Sequence, residues 1–164
     1  MTAAAPSERQ LAFRNTIGRF ATGVTIVTTT GSDGPAGMTT NAVASLSLDP
    51  LLLLVCFDRG SRTLEVVRAS QRFAVNVLRA DDRDLAAVFA SKRVPREKFE
   101  SVTHSETHGV PVLDTALAWI ACELRELLPG GDHEIGIGEV IAVGVEPESD
   151  PLVYYRGRYV TTSG

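Results

Sequence analysis

Cysteine, lysine and long apolar runs are all scarce in this 164-residue chain. Cys56 and Cys122 have neither CxxC spacing nor further cysteines to join, which excludes a disulfide framework and a cysteine zinc site. Both lie in apolar, strand-like runs and read as buried free thiols. With no charged-then-apolar leader over Met1 to Pro6, they point to a reducing cytoplasm. Leu51 to Phe57, as long as any continuous apolar run in the chain, is far short of the ~20 residues that a membrane-crossing helix needs. Positive charge is thin as well: Lys92 and Lys98 are the only lysines, the arginines are scattered, and the net charge is -4. Nucleic acid and anionic membranes, which attract clustered positive surface, are therefore not expected partners. Walker, GxSxG and HExxH sequences are missing. Gly136-Ile137-Gly138 has Ile141 where a dinucleotide fingerprint needs its third glycine, and no helix follows. His104 and His108 have an i, i+4 spacing but no third ligand in view, so no metal is expected.

What is present begins with a hydrophobic content of 44% and no internal repeat, enough for one compact core. The expected organisation is a flexible N-terminus over residues 1–10 and a single domain over 11–164. The most informative stretch is Gly37 to Pro50, which reads as one strand. Thr39, Asn41, Ser45 and Ser47 fall on one side of it, interrupted only by Val43, and Met38, Ala42, Ala44, Leu46 and Leu48 on the other. A solvated strand face normally carries Lys or Glu; this one offers only hydroxyls and an amide. Such groups hydrogen-bond at close quarters without an ion's desolvation cost, which suits the wall of a site for a polar, partly planar ligand. An ordinary Thr/Ser-rich strand has the same pattern.

Ser7-Glu8-Arg9-Gln10 forms a capping-box sequence that predicts a first helix carrying Phe13, Ile17 and Phe20 and ending near Ala21. Gly23 to Thr30 and the stretch from Gly37 read as a hairpin. Leu51 to Phe57 is apolar on both faces, as in a strand buried mid-sheet, and Phe73 to Leu78 is a further strand with Asn76 as its polar member. Helices are expected after Ser61 and after Asp81 or Asp82. Val94 to Val112 reads as a long loop with at most one short helix. Ala116 to Leu128 and His133 to Glu146 form a long hairpin, in which Gly136, Gly138, Ala142 and Gly144 share one side. That glycine face predicts sharp curvature or close approach of a ring or backbone. Strands dominate, so the expected fold is mainly β: a small, mostly antiparallel barrel with helices on its rim.

Two local patterns suggest binding chemistry. Arg59-Gly60-Ser61-Arg62-Thr63 turns into a helix, where N–H groups, the helix dipole and two hydroxyls favour an anion such as phosphate. His133, after Gly130-Gly131-Asp132, sits at a hairpin tip where an imidazole can meet a bound ring. By pattern alone, Ser61 is equally a simple helix cap and His133 a surface turn residue.

Five segments in order resemble the short-chain flavin reductase family, the reductase components of two-component flavin monooxygenases. They are Phe20 to Val27, Gly37 to Ala42 with Ser45 to Pro50, Phe73 to Leu78, Gly131-Asp132-His133 with Gly138 to Val140, and Pro151 to Tyr155. The resemblance covers Phe13 to Tyr159. It implies an antiparallel split β-barrel with a few peripheral helices, hydride transfer from NADH or NADPH to FMN or FAD, release of reduced flavin to a partner flavin-dependent monooxygenase, and a homodimer. Carried over by position, it implies that Thr39, Thr40, Asn41 and Ala42 lie along the isoalloxazine and ribityl groups, with Ser45 and Ser47 farther along. Ser61 and Thr63 would take the phosphate, and Arg59, Asn76, the region from Ser91 to Phe99 and Tyr154 complete the expected flavin set. His133, in the Gly-Asp-His motif, would be the catalytic residue meeting the nicotinamide. The chain departs from the family at Thr40, where alanine is common. A flavoprotein oxidase acting on a small substrate, or a non-catalytic flavin-binding or redox-sensing module, would share the polar-faced strand.

Overall fold

Ser7 caps the first helix as its sequence predicts. In the computed structural model, which describes residues 5–146 and 149–162, the Ser7 hydroxyl accepts from the Gln10 N–H at 3.3 Å and the Gln10 side chain accepts from the Ser7 N–H at 2.7 Å. Met1 to Ala4, part of the segment expected to be flexible, lie outside the described residues, and helix α1 (Glu8–Ile17) starts before the expected domain boundary. It stops at Ile17 and not near Ala21, because the Arg19 and Phe20 N–H groups bond to the Thr16 and Ile17 carbonyls and turn the chain away.

The elements that follow are β1 (Thr22–Gly23), β2 (Thr25–Gly31), β3 (Gly34–Thr40), β4 (Val43–Leu48), β5 (Leu51–Asp58), α2 (Arg62–Ser70) and β6 (Arg72–Val77). Next come α3 (Arg83–Ala90), α4 (Pro95–Lys98), β7 (His104–Thr107), β8 (Val110–Leu113), β9 (Ala118–Gly130) and β10 (His133–Val145). The hairpin β11 (Val153–Tyr155) and β12 (Arg158–Val160) pairs with β1. Seven strands form one antiparallel sheet in the order β3-β2-β6-β9-β10-β5-β4. Its two edge strands, β3 and β4, are joined by Asn41 and Ala42 alone. Laid flat, such a sheet would hold its edges about 29 Å apart, whereas a two-residue link spans only about 10 Å. The sheet must therefore roll until its edges meet at that link, which makes it a barrel split along the β3/β4 seam.

Inside the roll lie Val27, Val55, Phe57, Phe73, Val75 and Cys122, with Leu64 and Val67 of α2 closing one end. On the outside of β2 and β6, Ile26 and Leu78 pack with Ala86 and Phe89 of α3 and with Phe99 and Leu152. β7 and β8 place Val110 and Val112 over Ala74 and Ala121.

Other expectations are corrected as well. The polar stretch from Gly37 to Pro50 is not one strand, because crossing the seam at Asn41-Ala42 divides it between opposite sheet edges. Leu51 to Phe57 is not buried on both faces: Leu53, Val55 and Phe57 are buried on one, while Leu52, Leu54 and Cys56 on the other are only partly buried. The stretch from Val94 to Val112 is not a loop but α4 followed by a hairpin, in which Pro111 pairs with Glu106 as an edge-strand residue. The glycines of β10 do admit rings, though not on one side. A Cβ at Gly136 would lie 2.6 Å from Phe57, and one at Gly138 2.5 Å from Phe73, both inside the roll. A register shift between Val140 and Ala142 then turns Ala142 and Gly144 toward Trp119 in the outer cluster.

Candidate functional site

The seam creates a cavity of about 620 Å³. One wall is the end of β3 and the link after it: Met38, Thr39, Thr40, Asn41 and Ala42. Ser61 and Thr63 enter from the start of α2, Ser91 from the end of α3, and His133 from the start of β10. Two larger cavities, of about 790 and 800 Å³, lie elsewhere, but this one gathers the residues that the sequence singled out.

Local bonding fixes these groups. The Thr39 hydroxyl donates to the Ala86 carbonyl at 2.6 Å, tying β3 to α3, and the Thr40 hydroxyl accepts from the Ala42 N–H at 3.1 Å, shaping the crossing. Asn41 donates to the Thr22 hydroxyl at 3.0 Å. Ser61 is the N-cap of α2, accepting from the Thr63 N–H at 3.2 Å, and its hydroxyl lies 3.2 Å from the Met38 sulfur. The turn between β9 and β10 needs Gly131 at φ +76°, and sets His133 opposite Gly130 on one side and Asp58 on the other. His133 Nδ1 is 2.7 Å from the Asp132 carboxylate, and that bond holds the Asp132 carboxyl below its usual range.

Charge is concentrated at one end. Arg62, Lys92, Arg93 and Lys98 line the cavity with Asp58 as the acidic member, so both lysines of the chain face the same space. Lys98 is buried at 7% exposure, donating to the Phe89 carbonyl at 2.9 Å and the Gly37 carbonyl at 3.3 Å. Burial first, and then the nearby Arg62 charge, push its ammonium below the ordinary lysine pKa. Cys56 lines the wall as a half-buried thiol pushed up by burial, whereas the fully buried Cys122 is pushed up to about 12.

Other expected residues stand apart. Ser45 and Ser47 are on β4 beyond the seam, flanking a register shift, with Ser47 accepting from the Asp49 N–H at 3.2 Å. Arg59 turns toward Glu134, 3.8 Å away. Asn76 is fully buried and committed to the fold: it donates to the Ile26 carbonyl and accepts from the Leu113 N–H. Phe99 packs edge-on against Phe89, behind the cavity, and Tyr154 stacks near Tyr159 and lines two different cavities. The resemblance implied flavin contacts in the Ser91 to Phe99 region without singling out Lys92, Arg93 or Lys98, and Cys56 was not among the expected residues. For the lysines a signal existed: in a chain with only two, both fall between Ser91 and Phe99. Among the described residues, no group of three or more His, Cys, Asp and Glu side chains converges as for a metal, and no helix is long and apolar enough to cross a membrane.

A neutral, hydrogen-bonding wall leading to a cationic end defines a binder of a flat polar ring that carries an anionic tail. The flavin reductase like domain family matches residues 17–163, and the chain belongs to that family. It is 37% identical over 150 residues to HsaB, the reductase subunit of a flavin-dependent monooxygenase from Mycobacterium tuberculosis, a match covering 90% of this chain and 79% of the relative. It is 41% identical over 150 residues to a flavin reductase (NADH) from Kitasatospora aureofaciens, covering 90% and 78%. Among solved structures it resembles SgcE6, an NADH:FAD oxidoreductase of Streptomyces globisporus C-1027. That match has a TM-score of 0.89 and 33% identity, covering 100% of this chain and 99% of the other.

Proposed function

We propose that this chain is an NAD(P)H-dependent flavin oxidoreductase that reduces FMN or FAD and supplies the reduced flavin to a partner monooxygenase. The observation that carries the reading is the convergence of the neutral Thr39–Ala42 wall with the cation-lined end at Ser61, Thr63 and Lys98. It gains weight from relatives named as a monooxygenase reductase subunit and as NADH-dependent flavin reductases.

The residues present fit a flavin. The neutral wall matches a tricyclic ring with several hydrogen-bonding edges, and the first turn of α2 with four nearby cations matches its phosphate. Bound flavin supplies the redox chemistry, accepting a hydride from reduced nicotinamide. The chain's contribution is alignment. Thr39 is pinned to α3 and Thr40 to its own turn, so the wall is set before any ligand arrives. Asp132 holds the His133 ring through Nδ1, which leaves Nε2 for a nicotinamide amide. No carboxylate or thiolate nucleophile is required. Modest neutral hydrogen bonds also suit a ligand that must leave again for another enzyme.

A homodimer belongs to the same reading. Leu46, Leu48, Leu51, Val143 and Val145 are exposed on the neighbouring strands β4, β5 and β10, an apolar patch that a second copy would cover. Two unpaired thiols fit a reducing cytoplasm.

The test is NADH oxidation by the purified protein with FMN and FAD varied separately. Flavin-dependent loss of the nicotinamide absorbance is expected, and its absence with both flavins ends the reading. His133→Ala should lower kcat/KM for NADH roughly tenfold while FMN binding persists. Unchanged turnover would remove His133 from the site.

A further inference from the structure

The turn that carries Ser61 and the turn that carries His133 are bonded to each other behind the cavity. The Arg59 N–H donates to the Asp132 carbonyl at 3.1 Å, extending the β5–β10 pairing one residue past Asp58 and His133. Glu134 reinforces that junction. Successive side chains alternate along β10, so Glu134 points away from the ligand space that His133 faces and is paired with Phe57 at the end of the roll. Its carboxylate accepts from Arg68 of α2 at 2.5 Å and lies 3.8 Å from Arg59 Nε. Among the described residues it is the only carboxylate that meets two guanidiniums, and at 17% side-chain exposure it is the most buried acid in any ion pair. An apolar side chain at such a place stabilises a fold as well as an ion pair or better. What the charge adds is fixed geometry, since guanidiniums from two other segments converge on one oxygen. Arg59 also acts on the far side of His133: after the larger effect of His133 itself, its charge helps to hold the Asp132 carboxyl below its usual range.

We propose that Glu134 is a positioning residue, which with Arg59 and Arg68 clamps the turn of His133 to helix α2 and so fixes the imidazole relative to a ligand held at Ser61. The proposal rests on the flavin reductase reading. Arg59, Arg68 and Glu134 do not line the cavity, so the clamp acts only through groups that do. Ser61 caps α2 and Arg68 lies in its last turn, so the helix is tied to the His133 turn at both ends, by Arg59 before the cap and by Arg68 after it. Hydride transfer depends steeply on alignment, and a displacement of ~1 Å costs up to about 10²-fold in rate. A loosened clamp should therefore slow reduction before it weakens flavin binding, because Ser61 stays bonded to Thr63 and Asp58.

The experiment is NADH oxidation with FMN by Glu134→Gln and Arg68→Met, each alone and combined with His133→Ala. Glu139→Gln, which breaks the pair with Arg125 farther along the same strand, is the control. Each clamp variant should lower kcat/KM for NADH about fivefold, leave the FMN dissociation constant within about twofold, and add nothing once His133 is alanine. The control should change none of these. Unchanged turnover in both clamp variants overturns the proposal. So does an equal further loss in the His133→Ala background, or a loss of FMN affinity in step with turnover, since either marks a general loosening of the fold. A second readout needs no turnover. The chain has three histidines, so the His133 ring signals can be followed by NMR before any flavin is added. Arg68→Met, remote from His133 in sequence, should shift them and Glu139→Gln should not; unshifted signals overturn the clamp. Shifted signals in a protein that oxidises no NADH with either flavin would refute the reductase reading and not the clamp.

Discussion

The interior of the rolled sheet and the cavity at its seam are built from the same strands and obey opposite rules. Along β5, Val55 and Phe57 are buried while Cys56 and Asp58 line the cavity; along β10, Gly136 and Gly138 admit core rings while His133 faces the ligand space. The interior tolerates no added atom. The cavity is bounded by side chains tied to backbone groups a few residues away, and a change there alters ligand affinity before it alters the fold. Stability and binding should therefore separate by residue, even between neighbours on one strand.

Phe73→Ala, inside the roll, breaks this separation most severely. It should cost about 4 kcal/mol in denaturant unfolding, since the ring meets Phe57 edge-on at 5.9 Å and fills the space above Gly138. Gly138→Val approaches the same point from the opposite direction. Its Cβ would sit 2.5 Å from Phe73 and 2.8 Å from Cys122, and a loss of about 3 kcal/mol is expected; a stable variant would show that the interior has slack.

Lys98→Met tests the border between the two regions. Leaving the Gly37 and Phe89 carbonyls without their donor should cost about 2 kcal/mol in the same unfolding assay. The variant should also flatten the pH dependence of FMN binding. Because burial holds Lys98 below the ordinary lysine pKa, the native protein surrenders that proton first as pH rises. Between the lowered value and the ordinary one the unfolded chain binds more protons, so stability rises with pH while affinity for phosphate falls. An FMN titration series across alkaline pH checks the affinity trend. Ser61→Ala removes a cavity hydroxyl and the α2 cap together: it should weaken FMN binding by about 1 kcal/mol, roughly fivefold, and lower unfolding stability by about 1 kcal/mol. An unchanged dissociation constant would return Ser61 to a plain helix cap.

How much of this was readable in the sequence follows from the range of the interactions. The Ser7 capping box, the Ser61 cap and the two-residue turn before His133 are local chemistry, and they were legible. Thr39 to Ala42 stood out because an uncharged polar edge lacks the Lys or Glu expected of a solvated strand. Ser45 and Ser47 carried the same period-2 signal, yet they lie beyond the seam, because a strand pattern does not reveal where the chain changes sheet edge. Asn76 stood out as polar in an apolar strand, and the family resemblance implied a flavin contact there. Its partners, Ile26 and Leu113, are distant in sequence and visible only after folding. The hairpin of β7 and β8 was hidden by Pro111 and Gly109, which resemble loop punctuation until an edge position and a turn explain them.

Having both lysines on one cavity gives the protein a built-in chemical reporter. Lys92 is exposed at the mouth and Lys98 is buried against β3 and α3, so the chain's only two side-chain amines bracket one opening from outside and from within. An amine-selective acylating reagent can modify no other side chain of this type, and mass spectrometry of the labelled peptides would read shielding of Lys92 as occupancy of that opening and labelling of Lys98 as its breathing.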